Sequence, residues 1–468
     1  MNEILFKNTD EKVIRLIKLI KESIKGTSFE NHIFLTGGIV RDIILGRDIK
    51  DIDIVVDTLC GSKLFATYMT MRTLCFQIGK NPAQFQNYGT YKFQIFNNEE
   101  LKDFVIECVD TRKAKYINGV TTPYEVFGTL EEDANRRDLT INSLYYNIST
   151  DKLFDFTSQS ISDMLSKTLR TPFNAEKILE EDPIKILRII RFATELGWGI
   201  EKNTWLAMIK NAHLLEDVAK EKISSEISKI LICEKPSIGI RKMYNCGVLE
   251  YVIPDICDSM YAYESKNPKV MTFGHTMDVL DSVQPYIENR LAALYHDVGR
   301  IITEQRRDIS PDTFSGEVAA VDLKVMKFPK SIINSVETAI KYHRFFSKYE
   351  DGTIPPLKKI RKFMNLVGDD IGTTIDLMNA NNQHCTFGKK KRQVLDILDK
   401  IEEIEKENEE KQLRLPIDGN DIIKEFRLKP SPLIGTLLEG VKEAYFENPQ
   451  MTKDEAFEVV EKTLKLVT

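Results

Sequence analysis

The fold is decided by one stretch of sequence, TGGIVRDIILGRDIKDIDIVV, which spans residues 36–56. The short apolar run at residues 32–35 predicts a strand before it, and the two glycines end that strand. Residues 39–45 have the periodicity of a helix. Residues 50–57 alternate carboxylate and aliphatic side chains, which is typical of a strand with one buried face. The stretch therefore predicts a strand, a glycine turn, a helix and a second strand.

The second strand carries two carboxylates on one face. Because side chains alternate along a strand, Asp51 and Asp53 point to one side while Ile52 and Ile54 point into the core. Two carboxylates at this spacing repel each other unless a cation lies between them. They are natural ligands for Mg²⁺, which binds oxygen donors and bridges to phosphate groups.

The glycine turn predicts a phosphate site. Backbone N–H groups at Gly37 and Gly38, together with the dipole of the helix that follows, can hold a triphosphate, and Arg41 in the first turn can pair with it. The glycines alone are more typical of an ordinary strand–helix turn than of a phosphate site. The aspartate pair about a dozen residues later favours the phosphate site.

Nucleotidyl transfer by two metal ions needs a third carboxylate from a neighbouring strand. In the predicted strand Val105–Val109, Glu107 is the first candidate and Asp110 the second, and Arg112 follows close by as a supporting residue. Further strands are predicted at residues 91–96, 143–147 and 153–156, the second of which also fits the end of a helix.

Two further motifs follow in the chain. In LEEDANRRDLTIN, residues 130–142, Asp138 can cap a helix that begins at Leu139 and leave Asn142 one turn away. In EDPIKILRIIRF, residues 181–192, proline at the first helical position makes Asp182 the expected N-cap, with Lys185 beside it.

The second motif can also read a base. Cytosine and adenine each present an NH₂ donor beside an unprotonated ring nitrogen, whereas uracil and guanine present a carbonyl beside a ring N–H. A carboxylate beside a cation matches the first pair and leaves unpaired groups against the second. Asp182 and Lys185 are therefore a candidate amino-acid template, although a capped core helix explains the same residues.

Residues 36–53 and 130–142 together resemble the head signature of tRNA nucleotidyltransferases, the CCA-adding enzymes, which share a branch of the polymerase-β-like superfamily with bacterial poly(A) polymerases. The resemblance covers about residues 30–465 and implies Mg²⁺-dependent transfer from CTP and ATP to the tRNA 3′ end, with release of pyrophosphate. It implies that Asp51, Asp53 and Glu107 are catalytic, with the two aspartates as metal ligands. The implied nucleotide-binding residues are Gly37, Gly38, Arg41, Arg137, Asp138, Asn142, Asp182, Lys185, Arg188 and Arg191.

The chain departs from the family pattern at two lysines. The family motif is Glu-Asp-x-x-Arg, and Lys185 stands where the arginine belongs. Lysine keeps one donor but loses the rigid fork of a guanidinium. The next family motif has Glu-Arg where this chain has Glu221 and Lys222, and the resemblance implies that these two residues brace the base-reading helix.

Later residues resemble the HD fold, in which histidines and aspartates on helices hold metal for phosphohydrolysis. His275, His296 and Asp297 fit the pattern, but residues 314–317 lack the next histidine and Asn381 stands where the final acid belongs. His343 and Asp376 are alternative ligands by rearrangement. We expect a degenerate HD site in a helical domain that serves as scaffold and RNA platform.

The fold class predicted is α+β. The resemblance implies a polymerase-β-like head of mixed sheet and helices (1–172), an all-α neck with the base-recognition helix (173–255), an HD-like body (256–388) and a tRNA-binding tail (389–468). Residues 389–411 begin with a basic run and carry four apolar residues on one side: Leu395, Leu398, Ile401 and Ile404. This pattern predicts a solvated helix between two bodies or, alternatively, a basic helix end that contacts RNA.

Composition narrows the class of protein. The chain has 468 residues, 29% of them charged, and a net charge of −6, so any RNA contact must come from local patches. The seven cysteines are scattered without a CxxC pair, which favours a reducing compartment, the cytoplasm, and no disulfide-linked partner. No apolar run approaches the length of a membrane span.

Rival functions are a poly(A) polymerase or an enzyme that adds only CC or only A, because all share the chemistry of the head. An HD phosphohydrolase is a rival of another class, and it needs the metal set that is incomplete here. A non-catalytic RNA-binding module is disfavoured because the head retains all three carboxylates.

Overall fold

The computed structural model divides into two compact units, Met1–Pro254 and Asp255–Thr468. The finer division into head, neck, body and tail remains a prediction. The residues that the structure describes are 6–49, 51–71, 83–85, 90–94, 101, 104–113, 116–117, 120–121, 126–258, 273–299, 310–349, 353–384, 391–411 and 415–467.

A seven-stranded sheet forms the centre of the first unit. Its strands are β1 (Ile33–Thr36), β2 (Ile52–Val56), β3 (Ala83–Phe85), β4 (Thr90–Gln94), β5 (Val105–Asp110), β10 (Leu144–Asn147) and β11 (Lys152–Asp155). Their order is β11-β10-β1-β2-β5-β4-β3. β2 and β5 run parallel, and the other neighbouring pairs are antiparallel. Residues 144–147 form a strand rather than a helix end, which settles the alternative left open by the sequence.

Short strands complete this unit. Three two-stranded ladders are formed by β6 (Arg112–Lys113) with β9 (Val126–Phe127), β7 (Tyr116–Ile117) with β8 (Val120–Thr121), and β12 (Thr168–Leu169) with β13 (Gly199–Ile200).

Alternation along β2 follows the sequence prediction. Ile52 and Ile54 are completely buried, whereas Asp53 is partly buried and Asp51, just before the strand, is exposed. Farther along the strand, Val55 lies on the face of Asp53 and packs in an apolar cluster with Phe34, Ala134 and Tyr145. The sheet face that carries Asp53, here called the carboxylate face, therefore ends at this buried apolar cluster.

Eleven α-helices are described in the first unit. They are α1 (Glu11–Ile24), α2 (Gly38–Leu45), α3 (Gly61–Met71), α4 (Leu130–Asn135), α5 (Ser160–Leu165), α6 (Ala175–Glu181), α7 (Ile184–Leu196), α8 (Lys202–Asn211), α9 (Lys220–Leu231), α10 (Pro236–Asn245) and α11 (Val248–Val252). After residue 174 the described part of this unit is helical except for β13.

The predicted cap of α7 is wrong by one residue. Pro183 itself is the N-cap of α7, and Asp182 is the C-cap of the preceding helix, α6. The proline ring fixes a φ of −60°, which suits the last residue before a helix as well as the first residue inside it.

All regular secondary structure described in the second unit is helical. Its helices are α12 (Phe273–Ser282), α13 (Ile287–Tyr295), α14 (Pro311–Val325), α15 (Lys330–Tyr342), α16 (Leu357–Val367), α17 (Ile371–His384), α18 (Lys391–Lys411), α19 (Gly419–Glu425), α20 (Pro432–Glu447) and α21 (Lys453–Val467).

Helix α18 differs from its prediction. It is not a solvated connector, because Val394, Ile397, Ile401 and Ile404 are buried in one core with residues of α16 and α17. The predicted side is correct at Ile401 and Ile404, and Leu398 packs against the same core, but Leu395 is 54% exposed and Val394 is buried in its place. A separate core joins α19, α20 and α21. This packing favours a tail that starts after α18.

Two global findings accompany the fold. Among the described residues, no helix has both the length and the apolarity needed to cross a bilayer. The described cysteines are free thiols: Cys60, Cys108, Cys233, Cys246 and Cys257.

Candidate functional site

The strand register brings two of the predicted carboxylates together. Asp53 on β2 and Glu107 on the parallel strand β5 are direct partners, so their side chains lie on the same face of the sheet. Asp51 precedes Asp53 by two residues and shares that face. Asp110 lies on the opposite face, where its Oδ1 accepts a hydrogen bond of 2.6 Å from the backbone N–H of Ser62 at the start of α3. The register therefore favours Glu107 over Asp110.

Negative charge accumulates at this face. Burial, followed by the nearby charges of Glu107 and Asp51, raises the pKa of Asp53 to about 6, although Arg137 and Lys92 act in the opposite direction. A carboxyl group that resists ionisation beside other carboxylates marks a place where a cation would be stabilised. Hard oxygen donors of this kind suit Mg²⁺.

Lys92 is part of the same face and was missed by the sequence analysis. It is the antiparallel partner of Glu107 on β4, and its Nζ lies 2.6 Å from Glu107 Oε2. The hydrogen bond with Glu107 is the main reason that the pKa of Lys92 is raised. The pairing of β4 with β5 identifies this lysine. Lys92 and Glu107 are 15 residues apart in the sequence, and no sequence pattern predicts that they are neighbours.

The glycine turn lies directly against Asp53. Gly37 has φ 71° and ψ −136°, a conformation that side chains strongly disfavour. A Cβ atom at Gly37 would lie 3.3 Å from Asp53 Oδ2 and 3.4 Å from Arg137 Nη1. Gly38 is the first residue of α2. The absence of side chains at this turn leaves the backbone open beside the carboxylates.

Arg41 is engaged inside the protein. Its Nε and Nη2 donate to the two oxygens of Asp42 at 2.9 and 2.8 Å, and its Nη1 donates to Asn142 Oδ1 at 2.9 Å. The guanidinium also stacks on the Phe192 ring at 5.0 Å from the centroid, and the residue is 5% exposed. Arg41 therefore joins α2, the segment after α4 and α7, and its predicted contact with phosphate remains untested.

Asp133 is the centre of an arginine network that the sequence analysis did not identify. The residue is 1% exposed and accepts hydrogen bonds from the backbone N–H of Arg112, from both Arg136 and Arg137 side chains, and from Tyr145 Oη at 2.6 Å. Burial alone would raise the pKa of Asp133, but Arg137, Arg136 and the Tyr145 hydrogen bond lower it to about 2. The network fixes Arg137 beside Gly37. Spacings of three and four residues to the arginines were the available sequence signal.

Asp138 connects the head sheet to α7. Its Oδ1 accepts from the backbone N–H of Leu139 and from Asn142 Nδ2, and its Oδ2 lies 2.8 and 2.7 Å from Arg188 Nε and Nη2. Burial would raise the pKa of Asp138, but Arg188 and Asn142 outweigh it and lower the pKa. The predicted cap is wrong: a 3-10 turn, Thr140–Asn142, replaces the α-helix, and its N-cap is Leu139, without a side-chain cap hydrogen bond.

The proposed base-reading pair lies at the start of α7. The Asp182 side chain is 49% exposed and its Oδ2 lies 3.7 Å from Lys185 Nζ. Lys185 Nζ also donates to the backbone carbonyl of Arg136 at 2.7 Å, and the side chain is only 14% exposed. Burial lowers the pKa of Lys185. The lysine thus ties α7 to the motif that holds Arg137.

The bracing prediction for α9 is wrong in its residues. Glu221 and Lys222 are both exposed. The carboxylate that binds α7 is Glu226, 5% exposed, whose Oε2 accepts from Arg191 Nε at 2.8 Å. Arg191 also stacks on Phe192 at 4.1 Å from the ring centroid. Glu226 is one helical turn beyond the predicted pair, on the face of α9 that is buried.

The three HD-like residues of the second unit form one buried cluster. One ligand atom each from His275, His296 and Asp297 lie within 4.8 Å of one another. Asn381 Oδ1 is 2.9 Å from His275 Nε2, and the His343 ring is 5.5 Å from that of His296. The hydrogen bonds of Asp376 are with other residues: its Oδ2 accepts from the backbone N–H of Gln284 and from Asn289 Nδ2.

Comparisons with known proteins show what the chain resembles. Residues 33–170 match the family model of the poly A polymerase head domain, and residues 197–260 match a model described as a probable RNA and SrmB-binding site of polymerase A. The mitochondrial CCA tRNA nucleotidyltransferase of Candida glabrata is 26% identical and covers 92% of this chain and 90% of its own length. The CC-adding tRNA nucleotidyltransferase of Thermus thermophilus is 25% identical, with coverages of 90% and 92%.

A solved structure extends the likeness to the whole fold. The CCA-adding enzyme of Bacillus stearothermophilus in complex with CTP aligns with a TM-score of 0.65, at 18% identity, over 98% of this chain and 99% of that chain. At this identity the match shows a shared fold. Residues 33–170 therefore match a poly A polymerase head domain, and over most of its length the chain is similar to proteins named tRNA nucleotidyltransferases.

Proposed function

We propose that the protein adds C and A to the 3′ end of tRNA, from CTP and ATP and without a nucleic-acid template. One observation carries the proposal: Asp53 and Glu107 are register partners on one sheet face, beside Asp51 and against the side-chain-free turn at Gly37. The names of the relatives given above supply the substrate class.

The carboxylates are the proposed ligands for divalent metal. Family members of this kind use divalent ions, and we propose Mg²⁺ because the donors are all hard carboxylate oxygens. Asp51 and Asp53 would hold the ion, which when bound lowers the pKa of the attacking hydroxyl and neutralises phosphate charge. The backbone at Gly37 and Gly38 and the start of α2 would hold the triphosphate.

The reaction is an in-line displacement at phosphorus. The 3′-oxygen of the tRNA attacks the α-phosphorus of the nucleotide, the bond from that phosphorus to the bridging oxygen of the β-phosphate breaks, and pyrophosphate leaves. The hydroxyl proton passes to the carboxylate of Glu107. Arg137, held beside Gly37 by Asp133, is the proposed partner of the phosphates.

Base selection is proposed for Asp182 and Lys185. An acceptor and a donor side by side match the edges of cytosine and adenine, and they leave unpaired groups against uracil and guanine. Arg188, Arg191 and Glu226 keep α7 in a fixed position relative to Asp138 and α9. The contact of Lys185 with the Arg136 carbonyl fixes its ammonium near the nucleotide motif.

Extension assays test this function. Purified protein with Mg²⁺ receives three tRNA transcripts, which end before CCA, after CC and after CCA, and also oligo(A), with each nucleoside triphosphate alone and with all together. We expect addition that stops after CCA. Long A tails would instead identify a poly(A) polymerase, and addition that stops after CC would identify a partial enzyme like the named Thermus relative.

A phosphohydrolase activity is the rival from another class. It would depend on the cluster of His275, His296 and Asp297 and not on the head. A double substitution, Asp51→Ala with Asp53→Ala, separates the two: it abolishes nucleotide addition if the head acts, and it leaves phosphodiester hydrolysis intact if the cluster acts.

The proposed compartment is the cytoplasm, on the basis of free and scattered cysteines. The Candida relative is named as mitochondrial, so the location needs a direct test. Microscopy of the full chain with a fluorescent C-terminal tag would distinguish the two compartments.

A further inference from the structure

Three strands place opposite charges in one row across the sheet. Lys92 on β4 is the register partner of Glu107 on β5, and Glu107 is the register partner of Asp53 on β2. Register partners on adjacent strands point to the same face, with Cβ atoms about 4.5–5.5 Å apart. The lysine therefore stands on the carboxylate face as the third member of the row.

The ion pair holds one specific oxygen of Glu107. Lys92 Nζ lies 2.6 Å from Oε2, and both side chains are about one-third exposed. Oε1 is left as the oxygen that a metal ion or a hydroxyl proton would approach. Lys92 thus fixes the rotation of the Glu107 carboxylate.

The same ammonium changes the charge that a divalent ion meets. Without metal, it offsets part of the negative charge of Asp51, Asp53 and Glu107. The ammonium also repels an incoming divalent ion, because like charges a few ångströms apart repel each other strongly even near the protein surface. A nucleoside triphosphate brings several negative charges and outweighs this repulsion.

We propose that Lys92 is a positioning residue that makes divalent-ion binding at the carboxylate face depend on bound nucleoside triphosphate. When no nucleotide is bound, the lysine charge offsets part of the negative charge that a metal ion would otherwise offset. The ion pair also holds the Glu107 carboxylate in one orientation. This inference rests on the proposed function, since it assumes that the carboxylate face binds metal.

Binding of Mn²⁺ to the full-length protein tests the proposal. Free Mn²⁺ is followed by electron paramagnetic resonance during titration, without nucleotide and with a non-hydrolysable CTP analogue. Lys92→Met and Lys92→Gln should each bind Mn²⁺ about tenfold more tightly than wild type without nucleotide, because they remove the repelling charge. With the analogue present, the difference should fall to less than about threefold, because the triphosphate dominates the local charge.

Two controls separate charge from structural effects. Lys92→Arg keeps the positive charge and should bind Mn²⁺ like wild type. Lys113→Met removes a similarly exposed strand lysine, whose Nζ is 3.6 Å from Glu132, and should also leave Mn²⁺ affinity unchanged. Unchanged or weaker binding in both neutral Lys92 variants, with native circular dichroism, would overturn the proposal.

Asp53→Asn distinguishes failure of this inference from failure of the proposed function. The cluster of His275, His296 and Asp297 is the same in every variant, so its contribution cancels. If Asp53→Asn binds as much Mn²⁺ as wild type, the carboxylate face is not a metal site and the proposed function fails with it. If Asp53→Asn loses a site while the neutral Lys92 variants match wild type, the role of Lys92 alone is wrong.

Discussion

Removal of the Asp133 charge should destabilise the first unit. In Asp133→Asn, the amide keeps the shape of the side chain but leaves Arg136 and Arg137 without their buried counter-charge. The lowering of the Asp133 pKa from 3.8 to about 2 corresponds to about 2 kcal/mol of folding stability at neutral pH. Loss of one partner from a buried ion pair typically costs about 3–5 kcal/mol. We therefore expect a loss of about 2–4 kcal/mol, because the amide oxygen still accepts one hydrogen bond.

The assay can report on this unit alone. Both tryptophans of the chain, Trp198 and Trp205, lie between residues 1 and 254. Urea unfolding followed by tryptophan fluorescence therefore measures the unit that contains Asp133. Glu131→Gln, an exposed carboxylate on the same helix, is the matched control and should unfold at the wild-type midpoint.

The pH dependence has a definite sign. The pKa of Asp133 is depressed in the folded protein, so its contribution is fully present above the unfolded value of 3.8 and is lost as the pH falls through about 2. The gap between wild type and Asp133→Asn should stay constant from pH 7 to pH 5 and narrow below about pH 4. Equal urea midpoints at pH 7, or a gap that widens on acidification, would refute the role assigned to Asp133.

Three further variants address other parts of the site. Gly37→Ala should reduce the rate of nucleotide addition by about tenfold or more, because a side chain at positive φ is strained and its Cβ would crowd Asp53. Steady-state rates with CTP measure this loss, and a wild-type rate would contradict the role assigned to Gly37. Lys185→Arg should lower the incorporation of UMP relative to CMP by severalfold, since a guanidinium fixes the approach angle of the base. Competition assays measure the ratio of UMP to CMP incorporated, and an unchanged ratio would argue against base reading at this position. Glu226→Gln should cost about 1–3 kcal/mol in urea unfolding, because it removes the buried carboxylate 2.8 Å from Arg191 Nε and leaves that arginine the longer contact with Glu195, at 3.5 Å. Glu221→Gln should have no effect, and equal losses in both variants would contradict the contact assigned to Glu226.

Local periodicity predicted the backbone around Asp53 correctly. Alternation along one strand is enough to place Asp53 opposite to Ile52 and Ile54, and the structure has this arrangement. Two glycines between a strand and a helix likewise predicted the turn at Gly37. These features depend on neighbours within a few residues, and the sequence contains that information directly.

Features set by pairing between distant segments were not predictable in the same way. Lys92 reaches Glu107 only because β4 pairs with β5 in one register, and a shift by one residue would place it on the other face. Single positions on two helices also differ from the predictions, one made from the family motif and one from the apolar pattern. On α9 the buried acid is Glu226 and not Glu221, and on α18 the buried face contains Val394 and not Leu395.

The proposed role of the carboxylate face is to catalyse nucleotide addition. The most direct measurement is the single-turnover rate of addition of the first CMP to a tRNA that lacks CCA, in wild type, Asp53→Asn and Asp48→Asn. Asp48 is an exposed carboxylate in the same segment, so its variant controls for loss of surface charge. We expect a rate loss on the order of 10³-fold or more for Asp53→Asn with unchanged circular dichroism, and a wild-type rate for Asp48→Asn. A folded Asp53→Asn protein that adds CMP at the wild-type rate would show that the carboxylate face does not catalyse the addition.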